Sequence, residues 1–222
     1  MKVGLITYQA PHRKTEEVLQ RVLKKNYQLK IFALPFIPRK RRKVYFSHRP
    51  DQDEALPPKS LAQKYGISYV VCSKDSDIDC SCELYLILGA GVLSESCLKG
   101  KRIINCHPGI IPSSRGLDSF KWALYMMKPL GVTLHYINEE VDSGEIISVV
   151  PTDVYLSDRL ECLAHRHYQN EIDCLSEFEN FLASPSNPFK DIEMSKPMMR
   201  MPFAKEQELK IIFDAYKKRY GV

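Results

Sequence analysis

Residues 102–109 read Arg-Ile-Ile-Asn-Cys-His-Pro-Gly, an apolar run that stops at Asn105, His107 and a Pro-Gly pair. Two consecutive β-branched residues followed by turn formers describe a buried strand reaching its end. Side chains alternate along an extended chain, so Asn105 and His107 share one face of that strand. Pro108 also biases His107 toward an extended backbone. The stretch therefore aims an amide donor and an imidazole together at one reacting group.

Outward from this strand, KVGLIT (2–7), QLKIFA (28–33), ISYVV (67–71) and ELYLIL (83–88) are further short apolar runs. Val18, Val22 and Leu23 between the first two follow a helical period. Strand–helix alternation predicts an α/β fold: a mostly parallel sheet with helices on both faces. Ligands in such sheets lie beyond the carboxyl ends of the strands, where Asn105 falls. Downstream, 119–127 reads as a short helix before Pro129, and GVTLHYI (131–137) and EIISVV (145–150) as strands joined by a turn. A helix from an N-cap at Ser157 to about Leu182 is expected next. Pro185, Pro188, Pro197 and Pro202 then mark a connector, and Leu209, Ile212, Phe213 and Tyr216 an amphipathic last helix that packs back on the domain. The expected organisation is a catalytic domain over 1–185, then a Pro-rich connector and C-terminal helix over 186–222.

The chain has 222 residues, 44% of them hydrophobic and 27% charged, with a mean hydropathy of −0.28. No apolar run approaches the roughly 20 residues that cross a bilayer, and the N-terminus meets His12, Arg13 and Lys14 too soon for a signal peptide. Seven cysteines, odd in number and without a C-x-x-C pair, predict free thiols in a reducing cytoplasm. The net charge of +5 is uneven: Arg39, Lys40, Arg41, Arg42, Lys43 and Arg49 fall close together. Such a segment attracts phosphate or carboxylate groups.

The run NCHPGIIPSSRG, followed by GVTLHYINEEVDSGEII, resembles the formyltransferase family that uses 10-formyltetrahydrofolate. That family carries Asn-x-His-Pro, two apolar residues and Pro, a basic residue with Gly, then an apolar strand into Asp-x-Gly. These match Asn105, His107, Pro108, Ile110, Ile111, Pro112, Arg115 and Gly116, then Asp142-Ser143-Gly144. The resemblance is best over about 85–150. It implies a Rossmann-like fold with Asn105, His107 and Asp142 as the catalytic trio and no metal. It implies a folate surface edged by Ala90, Gly91, Val92 and Leu93, with Ile103 and Ile137 as walls. Arg41, Arg49 and Arg115 are the candidates to hold the acceptor. Gly109 departs from the Ser found in many members.

The acceptor is read from departures. Members acting on glycinamide ribonucleotide have a Gly/Ser-rich phosphate loop after the first strand, where this chain has Thr-Tyr-Gln-Ala-Pro-His-Arg-Lys at 7–14. Members acting on methionyl-tRNA carry a further domain for which 186–222 is too short, and those that hydrolyse formyltetrahydrofolate carry a regulatory domain ahead of the first strand. What remains resembles the compact sugar N-formyltransferases, with a nucleotide-linked or related bacterial surface amino sugar as acceptor and a homodimer expected. The alternatives are methionyl-tRNA or glycinamide ribonucleotide formylation and, in another class, a nucleic-acid-binding module using the basic segment with Tyr45 and Phe46. DSDID (75–79) imitates a calcium loop but has Cys80 and Leu86 where Gly and Glu are needed. Cys162, His165 and His167 do not share one helical face and are set aside as metal ligands. His135 is left as either a cleft or a core residue.

Overall fold

A computed structural model describes residues 1–37, 43–50, 52, 54–189 and 192–222. The chain divides into two compact units. The first comprises Met1–Arg39, Asp51–Asn105 and Tyr136–Glu140; the second comprises Lys40–Pro50, Cys106–His135 and Val141–Val222. Among the described residues, no helix is long and apolar enough to cross a membrane.

In the first unit, β1 (Lys2–Tyr8), β2 (Gln28–Leu34), β3 (Ser68–Val71) and β4 (Leu84–Ile87) pair in parallel in the order β3-β2-β1-β4. The ladder continues from β4 to β5 (Ile103–His107) through Tyr85–Ile103 and Leu86–Ile104. Continuous apolar runs suit strands covered on both faces, and β1 and β4 are buried along nearly their whole length. Helix α1 (Arg13–Val22) buries Val18, Leu19 and Val22. Ile6, Phe32, Leu34, Tyr85, Ile87, Leu93 and Ile103 belong to one core cluster. Truncating Phe32 there to Ala removes transfer energy and leaves a cavity, a cost of about 3–5 kcal/mol. Two short helices complete this unit, α2 (Pro58–Tyr65) and α3 (Glu95–Leu98). Gly66 ends α2 at φ +65°, a left-handed cap that glycine adopts without strain.

The second unit holds α4 (Ser119–Tyr125) and most of β6 (Gly131–Tyr136), which pairs antiparallel with β7 (Ile146–Pro151). The whole sheet is seven-stranded in the order β3-β2-β1-β4-β5-β6-β7. β7 is its last strand, and beyond it Val149 N–H donates to Ser186 O at 2.8 Å while Ser148 Oγ accepts from Ser186 N–H at 2.9 Å. The long helix expected from Ser157 is two: α5 (Leu160–Ser176), with Arg159 at its N-cap, and α6 (Phe178–Ala183). Arg159 makes no side-chain cap bond, and before it Asp158 accepts from Tyr155 N–H and pairs with Arg166, so Ser157 lies in the turn ahead of the helix. The last helix, α7 (Phe203–Tyr220), buries three of the four expected residues, Leu209, Phe213 and Tyr216, in a cluster with Phe46, Phe120, Trp122, Leu160 and Leu163, and leaves Ile212 half-buried.

Candidate active site

Asn105 and His107 occupy alternate positions of β5, with Asn105 partly exposed and His107 buried. The His107 ring lies between two acceptors. Nδ1 is 3.2 Å from Asp142 Oδ1, and Nε2 is 2.8 Å from the Ser114 carbonyl and 3.1 Å from Ser119 Oγ. Ser119 Oγ itself donates to Gly116 O at 2.9 Å. A carbonyl only accepts, so Nε2 carries a hydrogen, and the ring must also donate from Nδ1 if Asp142 is ionised. Asp142 is held in that ionised form. Burial acts to raise its carboxyl, but the hydrogen bond and charge of His107, the Gly116 N–H at 2.8 Å and the charge of His135 hold it below the usual carboxylate range. His135, left open by the sequence, is thus buried on β6 where its charge acts on Asp142.

The loop between β5 and α4 is fixed from several sides. Thr133 Oγ1 donates to Gly109 O at 2.7 Å and accepts from Ile111 N–H at 3.1 Å. A Cβ on Gly109 would stand 2.7 Å from Ser114 O and 2.9 Å from His107 Nε2. The missing side chain at 109 therefore lets the Ser114 carbonyl reach the ring, which accounts locally for the departure from Ser. Arg115 is buried, and its Nε donates to Val141 O at 3.0 Å, with Nη2 on the same carbonyl. This guanidinium anchors the backbone one residue before Asp142. Asp142 has φ +48°, a left-handed conformation that a short polar side chain tolerates when its surroundings hold it.

Of the six residues expected to edge a folate, Leu93 and Ile103 are buried in the first unit's core, with Ala90 and Ile137 packed against it. Ile137 N–H donates to Ile103 O at 3.0 Å, joining those two walls. Gly91 and Val92 are exposed, Val92 at 77%. The structure thus gathers the two expected walls with the edge residues Ala90 and Leu93 in one cluster, while the edge residues Gly91 and Val92 stand in solvent.

The basic segment is partly placed. Arg41 lies outside the described residues. Arg49 makes a forked contact with the buried Glu171, at 3.0 and 2.7 Å, and lies over the Tyr168 ring. Against the cost of burial, Glu171 and Tyr168 hold its guanidinium more firmly protonated than usual. His48 stacks on Phe120 with ring centroids 6.1 Å apart. Burial, then the charges of Arg49, Lys121 and His167, push His48 well below its ordinary value. Lys121, fully buried on α4, pairs with buried Glu206 of α7 at 3.1 Å and donates to Phe46 O; Glu206 also accepts from Tyr45 N–H at 2.6 Å. Residues 45 and 46 are therefore tied to α4 and α7, a role unlike that of a solvated loop. Cys162 and His165 are surface residues, whereas His167 is buried with Nδ1 2.8 Å from Thr152 Oγ1. Asp75, Asp77 and Asp79 have separate uses, on Ser94 N–H, on Ser73 and Lys74 N–H, and on Lys30.

The profile of the formyl transferase family matches residues 55–178, more than half of the chain. The chain belongs to the formyl transferase family. Among curated family members, formyltetrahydrofolate deformylase 2 of Arabidopsis thaliana is 37% identical over 87 residues, 38% of this chain and 26% of that protein. Phosphoribosylglycinamide formyltransferase of Bacillus subtilis is 34% identical over 73 residues, 32% of this chain and 37% of that protein. The alignments thus span about a quarter to a third of these relatives. In fold, a sugar N-formyltransferase from a Shewanella species covers 96% of the chain and 87% of its own at a TM-score of 0.61 and 16% identity. A formyltransferase of Anoxybacillus kamchatkensis, solved with a UDP-linked formamido sugar and tetrahydrofolate, covers 97% and 94% at 0.55 and 17%.

Within a formyl transferase, the sequence alone could not have found Ser114, Ser119, Glu171, Lys121 or Glu206. Ser114 contributes only its backbone carbonyl to His107, and the buried pairs join positions 85 and 122 residues apart.

Proposed function

We propose that this protein transfers the formyl group of 10-formyltetrahydrofolate to the amine of an amino sugar, free or nucleotide-linked. The observation that carries the reading is the His107–Asp142 pair, set two residues from Asn105 on β5. The folate supplies an activated formyl carbon. Asn105 offers an amide N–H to the formyl oxygen as negative charge develops there, and one such donor is worth about 3 kcal/mol. His107, oriented by Asp142, adds a second donor through Nε2. An oxyanion accepts more strongly than the neutral Ser114 carbonyl, so Nε2–H gains by exchanging one for the other. As the bond to the folate nitrogen breaks, the ring gives that nitrogen its Nε2 proton and takes up the amine's proton in its place, so no proton is gained or lost by the protein. Leu93, Ile103, Ala90 and Ile137 supply apolar walls for a pterin, and the exposed edge at Gly91 and Val92 admits it. Arg49, set by Glu171, fits an acceptor's phosphate or carboxylate; Arg115, turned to Val141 O, acts on the site through the backbone.

Support for a sugar comes from the glycine-free segment 7–14 and from the extent over which solved sugar N-formyltransferases match the chain. The curated relatives favour a second reading, in which glycinamide ribonucleotide or water takes the formyl group. Mass spectrometry after incubation with the folate and a panel of amino sugars, glycinamide ribonucleotide and methionyl-tRNA separates these. A formylated sugar is expected, with the rate reduced about 10²–10³-fold in Asn105→Ala. Formylation of the ribonucleotide alone, or release of formate with no acceptor, overturns the sugar assignment.

A further inference from the structure

The segment after Ser195 runs along the loop that holds the reaction centre. Met198 N–H donates to Arg115 O at 2.9 Å, and Leu117 N–H donates to Met198 O at 2.7 Å, so Gly116 and Met198 form a parallel bridge. Ser195 N–H donates to Pro112 O at 3.0 Å. On the far side, Trp122 Nε1 donates to Met199 O at 2.7 Å, and Asp118 Oδ2 accepts from Met201 N–H at 3.0 Å. With Ser195 Oγ donating to Pro112 O at 3.3 Å and Arg115 Nη1 to Ser195 O at 3.5 Å, seven hydrogen bonds among the described residues tie positions 195–201 to positions 112–122.

The residues so held are those that orient Asp142 and His107. Gly116 N–H binds Asp142 Oδ2, Arg115 binds Val141 O, and Ser114 O accepts from His107 Nε2. Gly116 sits at φ +87°, and a Cβ there would stand 2.3 Å from Met198 O. Only glycine lets the two backbones meet this closely. The segment also lies outside the 55–178 stretch that matches the family profile. We infer that residues 195–201 are a positioning strap for the proposed reaction: through Arg115 and Gly116 they fix the Asp142 carboxylate against the His107 ring. The inference rests on the reading of His107 and Asp142 as reacting groups, but its geometric core does not.

The strap is tested with Met198→Pro, which removes the N–H given to Arg115 O, and with Arg115→Lys, which keeps the charge but loses the fork on Val141 O. Met199→Ala is the control, since that side chain is exposed and only its carbonyl is used. The first readout is the exchange-protected Nδ1–H signal of His107 in proton–nitrogen NMR, identified by its absence in His107→Ala. The second is kcat against KM for whichever amine is formylated, with circular dichroism as a check on folding. The signal is expected to broaden or shift in both strap variants and to persist in Met199→Ala. The kcat should fall about tenfold to a hundredfold with KM little changed, because misplacement of a reacting group acts on the chemical step. An unchanged Nδ1–H signal in both folded variants overturns the strap. If wild-type protein formylates no amine, the NMR comparison still decides the strap, and the failure falls on the proposed function alone.

Discussion

The turn after β4 and the loop after β5 follow adjacent parallel strands, yet they are built differently. After β4, Gly91 and Val92 stand in solvent, and a Cβ on Gly91 would meet no atom within 4 Å. After β5, Ile110, Ile111, Ser114, Arg115 and Ser119 are all at most 6% exposed, and the backbone is bound by Thr133, Asp142 and the strap. An open turn suits a surface that receives a ligand by shape and apolar contact. A cross-braced loop suits groups whose relative placement sets a rate, where small displacements are costly.

If the second region is as tightly determined as its contacts indicate, changes there should be expensive. Lys121→Met leaves the Glu206 carboxylate buried with its charge partner gone, and a loss of about 3–5 kcal/mol is expected in urea unfolding. A loss under about 1 kcal/mol would mean that water reaches the pair and that the region is looser than described.

The next effect is a pH dependence centred on His167. Burial pushes its ring down to about 4, although the Pro108 carbonyl and Glu171 pull upward. The unfolded ring titrates near 6.5, so between these values the unfolded chain holds the extra proton. Stability from this group is therefore full above about pH 6.5 and erodes as pH falls toward 4, by about 3 kcal/mol at most. His48, also lowered, acts in the same direction. Unfolding at pH 7.5 and pH 5 should show a larger drop for the wild-type chain than for His167→Gln, and equal drops would refute the assignment.

The smallest effects sharpen the comparison most directly, because one substitution is made in both loops. Gly109→Ala places a Cβ 2.7 Å from a backbone oxygen, and overpacking of this kind costs about 1–3 kcal/mol. Gly91→Ala meets open space and should stay within about 0.5 kcal/mol in the same measurement. Similar losses at both positions would erase the distinction between the loops.

The strands were legible because each is a short apolar run, most of them buried, although β3 is not, and β5 runs to His107, two residues beyond Asn105 where the apolar run stops. α2 was not legible: PKSLAQKY buries only Pro58, Leu61 and Ala62, too few positions to establish a period. The break at Glu177 was hidden because apolar residues continue across it. In the site, the Asn-x-His and Asp-x-Gly spacings pointed to Asn105, His107 and Asp142, and the structure pairs the latter two. The roles of Arg115 and the strap were hidden because both act on backbone atoms 26 to 83 residues away. Backbone groups are the same at every position, so no pattern of side chains announces them.

The short pairing of Ser186 with β7 has a consequence for how copies of this chain can meet. An unpaired edge strand is a template on which another chain can add a strand, the route to open-ended aggregation. At β7 the Val149 N–H and the Ser148 hydroxyl are already engaged by Ser186. A second molecule adding a strand at Ser148 and Val149 must first displace Ser186, so strand addition at this point of the β7 edge is opposed by the protein's own chain.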